Sequence, residues 1–274
     1  MEFALNRIAC PDLSLEELVE AASEMGLKAV ELRNDIPGRD VLDSLDPAAV
    51  ARLCSRYGVR IATINAVQRF DLAAVLQRVL TELGSMAEIA QAVGWPAIVL
   101  CPNNDSADAR SCDQRFAEAV SALEAAAPVL QKRGLLGLIE PLGFAECSMR
   151  SKRTVMEAIE QAGAECFRIV HDTFHHFLGP DTEEDLKELC GSSLIGLVHL
   201  SGVEEPEPTD GYRDGHRVLV GPEDRTEVKE QVHFLERFGY HGLFSFEPFA
   251  GAIQRLPAAR LVQAVAASRS YLGG

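Results

Sequence analysis

Cationic side chains are in short supply in this chain. The 26 Lys and Arg stand against 41 Asp and Glu, a formal net charge of −15. That deficit argues against a nucleic-acid surface that tracks phosphates, which needs clustered Lys and Arg, and it disfavours docking on anionic membranes. No Cys-x-x-Cys pair occurs among the seven cysteines, Cys10, Cys54, Cys101, Cys112, Cys147, Cys166 and Cys190. An odd, scattered set suggests neither a disulfide framework nor a thiolate zinc site, and reads as buried, reduced thiols. No apolar stretch approaches the roughly 20 residues that span a bilayer. The start, MEFALNRIACPD, has an early acid and no long apolar core of a secretory signal. Glycine-rich phosphate loops are missing as well: no G-x-G-x-x-G or P-loop string follows residues 3–8. Together these absences predict a soluble, cytoplasmic protein that takes a neutral or weakly charged small molecule, with no nucleic acid and no membrane as partner. A homo-oligomer is left open.

What is present is a large apolar fraction, 47% of 274 residues, enough for a sizeable core. It is distributed repetitively. Short β-prone runs fall at 3–8, 29–33, 60–66, 97–101, 135–140, 167–172, 194–200 and 243–247. Amphipathic segments rich in Ala, Leu and Glu separate them, and several end in glycine. Segments 14–25, 47–57 and 114–133 precede Gly26, Gly58 and Gly134, where a left-handed helix end favours glycine. Ser14 with Glu17 has the capping-box pattern of a helix start. Pro128 marks a kink or break within 114–133. The spacing between runs is mostly about 30 residues, the size of a βα unit. Eight such units in one chain predict an α/β fold, a (β/α)8 barrel occupying residues 1–274 as a single domain. A doubly wound open sheet is the alternative. The Pro- and acid-rich stretch 203–214 reads as a long loop after the seventh strand.

In such a barrel, active groups sit at the C-terminal ends of the strands. Four of the runs end in groups with metal-binding chemistry. Glu140 closes Ile139-Glu140-Pro141, Asp172 closes Val170-His171-Asp172, His199 lies in Val198-His199-Leu200, and Glu247 closes Phe246-Glu247-Pro248. Side chains alternate along a strand, so one inward position near each end can converge on the axis. Taken singly, each carboxylate has a bland alternative, pairing with an Arg or capping a helix. Taken together, buried acids without a cation would be costly. Three carboxylates and an imidazole suit one divalent Zn, Mn, Co or Mg ion. His175 could reach a substrate oxygen from the loop after strand six. His171 is out of phase with Asp172 and faces the helices, and His176 reads as exposed. Arg217 could hold an anionic oxygen. Glu31, Arg33, Asn65 and Asn103 end strands two to four and are placed at the mouth. Arg33 has the alternative of pairing with Glu31 or Asp35. Trp95 precedes strand four at the opposite end and reads as structural.

These strings resemble the xylose-isomerase-like TIM-barrel superfamily over nearly the whole chain, and within it the inosose (2-keto-myo-inositol) isomerases. The resemblance is carried by Phe3-Ala4-Leu5-Asn6, Val30-Glu31-Leu32-Arg33, Thr63-Ile64-Asn65-Ala66 and Leu138-Ile139-Glu140 followed by Cys147-Ser148. It continues in Asp172-Thr173-Phe174-His175, Val198-His199-Leu200, Arg217 and Ser245-Phe246-Glu247-Pro248-Phe249. It implies that Glu140, Asp172, His199 and Glu247 bind one divalent metal, while His175 and Arg217 contact substrate. The chain departs from the family after strand seven. His216-Arg217-Val218-Leu219-Val220-Gly221 replaces the usual turn, and Leu200-Ser201-Gly202 follows His199 in place of an acidic pair. The implied activity is isomerisation of a keto-polyol or keto-sugar through an enediolate. Glu140 or Glu247 would serve as base, with Arg217 and His175 stabilising the oxyanion. Hydroxypyruvate isomerase and keto-sugar 3-epimerase are the alternatives inside the family, and an abasic-site endonuclease is a remote one that the acidic balance opposes.

Overall fold

The computed structural model describes residues 1–273. Its eight strands are all parallel and pair in chain order, the last with the first, into a closed barrel. They are β1 Glu2–Asn6, β2 Ala29–Arg33, β3 Arg60–Gln68, β4 Ala97–Cys101, β5 Leu136–Ile139, β6 Phe167–Asp172, β7 Ile195–Leu200 and β8 Leu243–Phe246. The helices are α1 Leu15–Glu24, α2 Pro47–Tyr57, α3 Leu76–Val93, α4 Cys112–Gln131, α5 Lys152–Ala162, α6 Thr173–Leu178, α7 Glu183–Gly191, α8 Val228–Arg237, α9 Gly251–Gln254 and α10 Ala258–Leu272. The open-sheet alternative is thereby excluded. Strand bounds from the sequence hold to within about two residues, with β2, β4 and β6 matching throughout. Among the described residues no helix is long and apolar enough to cross a membrane.

Local chemistry explains the helix ends. The Ser14 hydroxyl accepts from the Glu17 amide while the Glu17 carboxylate accepts from the Ser14 amide, so two otherwise orphaned donors are satisfied reciprocally. Asp46 caps α2 one way, accepting from the Ala49 amide, with Pro47 in the first turn, and Gly58 ends it at φ +64°. Pro128 does not break its helix. α4 runs through it to Gln131. Pro128 lies on the exposed face, as does Glu124 one turn earlier, so water can take the carbonyl that loses its partner.

The core has two layers with opposite strand parity. Small and branched side chains fill the barrel interior, including Ala4, Ala29, Ala97, Val99, Leu138, Val170, Leu197 and Leu243. Their strand neighbours Leu5, Val30, Ile98, Ile139, Ile169, Val198 and Phe244 pack outward beneath the helices. Period-two alternation then decides the next inward position up each strand: Glu31 after Ala29, Cys101 after Val99, Glu140 after Leu138, Asp172 after Val170, His199 after Leu197 and Ser245 after Leu243. Every one of these is buried. Trp95 is 2% exposed ahead of β4, at the opposite end. Between β7 and α8 runs the long loop expected from the sequence. It is tied at its base by a two-way backbone pairing of Gly202 with Val218, and it carries short 3-10 turns at Thr209–Gly211 and Asp214–His216.

Candidate metal centre

Glu140, Asp172, His199 and Glu247 converge at the C-terminal end of the barrel. All four are buried, and one ligand atom from each lies within 4.8 Å of all the others. Two donors on opposite sides of a zinc-like ion stand about 4.4 Å apart, from bonds of about 2.2 Å, so the set is close to the size such an ion needs. The donor chemistry fits as well. Three carboxylates and a neutral imidazole are ligands for a hard or borderline divalent cation.

The orientation of His199 is set from behind. Its Nδ1 faces the cluster, 2.8 Å from Glu140 Oε1 and 3.2 Å from Glu247 Oε2, whereas Nε2 lies 3.2 Å from Glu31 Oε2. Glu31 is fully buried and is itself held by Ser245 Oγ and, at 3.4 Å, Asn6 Nδ2. The sequence put Glu31 at the mouth among substrate-contacting residues; the structure puts it one layer below, because it precedes Arg33 by one strand period. Such a carboxylate fixes the tautomer that leaves Nδ1 free. Burial pulls the His199 imidazole down, but Glu247, Glu31 and Glu140 override it and hold His199 well above its usual range in the metal-free protein. Binding a cation there releases that proton.

Two guanidiniums complete the buried charge set. Arg217 Nη2 reaches Asp172 Oδ2 at 2.5 Å and Glu247 Oε2 at 2.8 Å, and Arg217 Nε donates to Ser201 Oγ at 2.8 Å. Arg33 Nη1 reaches Glu247 Oε1 at 3.1 Å, with its other edge forked onto Asp35. Of the two partners weighed for Arg33, the structure selects Asp35 and adds Glu247. Glu247 also accepts from Asn6 at 3.0 Å and Asn65 at 3.3 Å. Burial alone would raise the Glu247 carboxyl, but His199, Arg217 and Arg33 hold it far below the usual carboxylate range. Glu140 is treated differently. Its Oε1 faces His199, and among the described residues the polar neighbour of its Oε2 is the Cys101 thiol at 3.5 Å. Burial, then the nearby Glu140, push that thiol well up, so it stays protonated. In formal charge, Glu31, Glu140, Asp172 and Glu247 outnumber Arg33 and Arg217 by two, the charge that one divalent ion supplies.

Above the cluster opens a cavity of about 240 Å³. Arg33, Asp35, Asn65, Asn104, Glu140, Phe144, His175, Asp214, Arg217, Glu247 and Phe249 are among its lining. His175 sits in it because Asp172, besides facing the cluster, caps α6 by accepting from the His175 amide at 2.8 Å. Its ring packs edge-on against Phe144, and its Nδ1 is buried without a protein partner among the described residues. Asn65 is in the lining too. Asn103 is not, and instead anchors the loop after β4 through Asp71 and Asp108. His171 faces the helices, as its parity requires, with Nε2 3.0 Å from Gln231 of α8. His176 is not the exposed residue expected. It is half-buried, 3.3 Å from Lys152 Nζ, and burial drives it down to about 3. The sequence reading assigned no site role to Asp214, Ser201 or Phe249, and weighed Asp35 only as a partner for Arg33. Asp35 and Asp214 each stand a few residues from an arginine singled out for the site, which is the one signal that pointed to them.

Comparison with known proteins agrees with this architecture. A family model for the xylose isomerase-like TIM barrel matches residues 19–271. An inosose isomerase from Halalkalibacterium halodurans is 24% identical over 194 residues, which is 68% of this chain; the match spans 65% of that relative's length. Among solved structures, a xylose isomerase domain containing protein from Salmonella typhimurium superimposes with a TM-score of 0.91 at 35% identity, covering 100% of this chain and 97% of that one. An IolI protein with a bound zinc atom gives 0.89 at 19% identity over 99% of both chains. A D-psicose 3-epimerase solved with D-fructose gives 0.74 at 16% over 100% of both. The parallel eight-stranded barrel and the match over most of its length establish that this chain belongs to the xylose isomerase-like TIM-barrel family.

Proposed function

We propose that the protein is a divalent-metal-dependent isomerase of a keto-polyol or keto-sugar, with an inosose as the first substrate to test. The observation that carries this reading is the convergence of Glu140, Asp172, His199 and Glu247 beneath a cavity of small-molecule size. The inosose isomerase, zinc-bound IolI and psicose epimerase likenesses support it. When bound, the cation would polarise a ketone and acidify the carbon beside it.

The residues divide the remaining work. Glu140 turns one oxygen toward a weakly donating thiol and lines the cavity, so its lone pairs are available to accept a proton from the α-carbon. Both oxygens of Glu247 are occupied by Arg217, Arg33, His199, Asn6 and Asn65. That environment keeps it ionised, which favours a fixed ligand over a proton carrier, so Glu140 is assigned the first proton transfer. Arg217 and His175 face the cavity and are placed to stabilise the oxyanion of an enediolate. Phe144 and Phe249 exclude water from one side.

The test is proton exchange at the α-carbon of inosose in D2O, followed by NMR on metal-loaded protein, with metal analysis alongside. Wild type should exchange. Glu140→Gln should lower exchange by about 10²–10⁴-fold, with metal still bound through the remaining ligands. Undiminished exchange in Glu140→Gln and Glu247→Gln would overturn these roles. Exchange on D-psicose or hydroxypyruvate but not on inosose would move the assignment to the epimerase or hydroxypyruvate branch.

A further inference from the structure

The cavity holds two guanidiniums, and every nitrogen of both already has a carboxylate or hydroxyl partner. Arg33 donates from Nε and Nη2 to Asp35, at 2.7 and 2.6 Å, and from Nη1 to Glu247. Arg217 donates from Nε to Ser201, from Nη1 to Asp214 at 3.3 Å, and from Nη2 to Asp172 and Glu247. Phe249 lies between them, its ring centroid 5.3 Å from the Arg33 guanidinium carbon and 4.6 Å from that of Arg217. The two arginines thus share a layout. Each has a buried carboxylate on its inner side and an aspartate at the rim, and the rim side chains are 41% exposed for Asp35 and 47% for Asp214.

The rim pair is not needed to balance the buried charge. Four buried carboxylates, two guanidiniums and one divalent ion already sum to zero, so Asp35 and Asp214 leave the loaded mouth at a formal charge of minus two. An incoming carboxylate meets that charge, and any guanidinium hydrogen it takes sits on a nitrogen already paired with a carboxylate or hydroxyl, whereas an uncharged ketone needs only the cation and neutral hydrogen bonds. We infer that Asp35 and Asp214 are specificity-determining residues that reserve the cavity for uncharged ketones and disfavour ketones bearing a carboxylate. The inference takes its ketone class from the isomerase reading above.

Dihydroxyacetone and hydroxypyruvate make a matched pair of probes, since both are three-carbon hydroxyketones and the second carries a carboxylate where the first has a hydroxymethyl. Dissociation constants for both are measured by NMR titration on zinc-loaded wild type, Asp35→Asn, Asp214→Asn, the double variant and Glu124→Gln. The last removes an exposed charge on α4, far from the mouth in sequence and fold. Removing one rim charge about 8 Å from the ligand, partly screened by water, should tighten hydroxypyruvate relative to dihydroxyacetone by about three- to tenfold. The double variant should show the product, the effect should shrink in high salt, and Glu124→Gln should leave the ratio alone. A ratio unchanged within about twofold in the double variant overturns the inference, as does equal tightening of both probes. Proton exchange is recorded on the same samples. A shifted binding ratio in protein that exchanges neither inosose, D-psicose nor hydroxypyruvate upholds the specificity role and sinks the isomerase reading; exchange with an unshifted ratio does the reverse.

Discussion

Glu31→Gln separates two roles for a residue that the sequence placed with the substrate contacts and the structure places behind His199, the imidazole of the candidate metal centre. The substitution keeps an oxygen to accept from His199 Nε2, now at 3.2 Å, and removes one buried negative charge. The imidazole ring and a metal–nitrogen bond of about 2.1 Å put that charge about 7 Å from the ion. At an effective dielectric of about 20, a single charge and a divalent ion at that distance attract by about 4.7 kcal/mol; the proton that the ion displaces from His199 offsets about half, so the net loss is about 2.4 kcal/mol, or about 50-fold in affinity. Measured losses for comparable outer-sphere partners of metal-bound histidines run to about 10–100-fold. The assay is competition for Zn²⁺ against a chromophoric chelator, with substrate KM recorded at saturating metal. The expected result is weaker metal binding by one to two orders of magnitude with KM little changed. A loss under about threefold, or a rise in KM with metal affinity intact, would refute the second role and return Glu31 to the substrate.

Two further outcomes follow from packing and burial. His171 and His176 are kept neutral by burial and by Lys152, His171 well below its ordinary value and His176 at about 3. A histidine depressed in the fold gives stability that is whole above its unfolded value near 6.5 and is lost as pH falls toward the folded value. His171 faces Lys152, His176 and Gln231, and each histidine should remove up to about 1.4 kcal/mol per pH unit below about 6.5. Denaturant melts of metal-free protein from pH 7 to 5 should therefore steepen in wild type and flatten in His171→Gln; parallel curves would refute neutral burial. Gly137→Ala would place a Cβ 2.6 Å from the Phe167 ring and 2.9 Å from Leu130. Overpacking of that kind costs about 1–3 kcal/mol. On a chain of this size that lowers Tm by about 2–10 °C, and an unchanged melting temperature would show that β5 and α4 relax freely.

Hydrophobic periodicity along the chain is enough to specify the barrel and the inward ring. Apolar runs recurring at the length of a βα unit specify eight strands, and a side-chain period of two puts Glu140, Asp172, His199 and Glu247 on one face of theirs, so their convergence follows once the sheet closes. It placed His171 outward for the same reason. Tertiary structure alone decided what each polar group meets. Strand parity puts Glu31 one layer below Arg33, but that it meets His199 there depends on the register of β2 against β7 across the barrel, which no local pattern encodes. The contrast between Glu140, beside a thiol, and Glu247, gripped by two arginines and two asparagines, arises from residues up to 241 positions apart. The rim aspartates look like ordinary loop acids in the chain. They become a charged threshold to the cavity only where the loops after β2 and β7 fold back over Arg33 and Arg217.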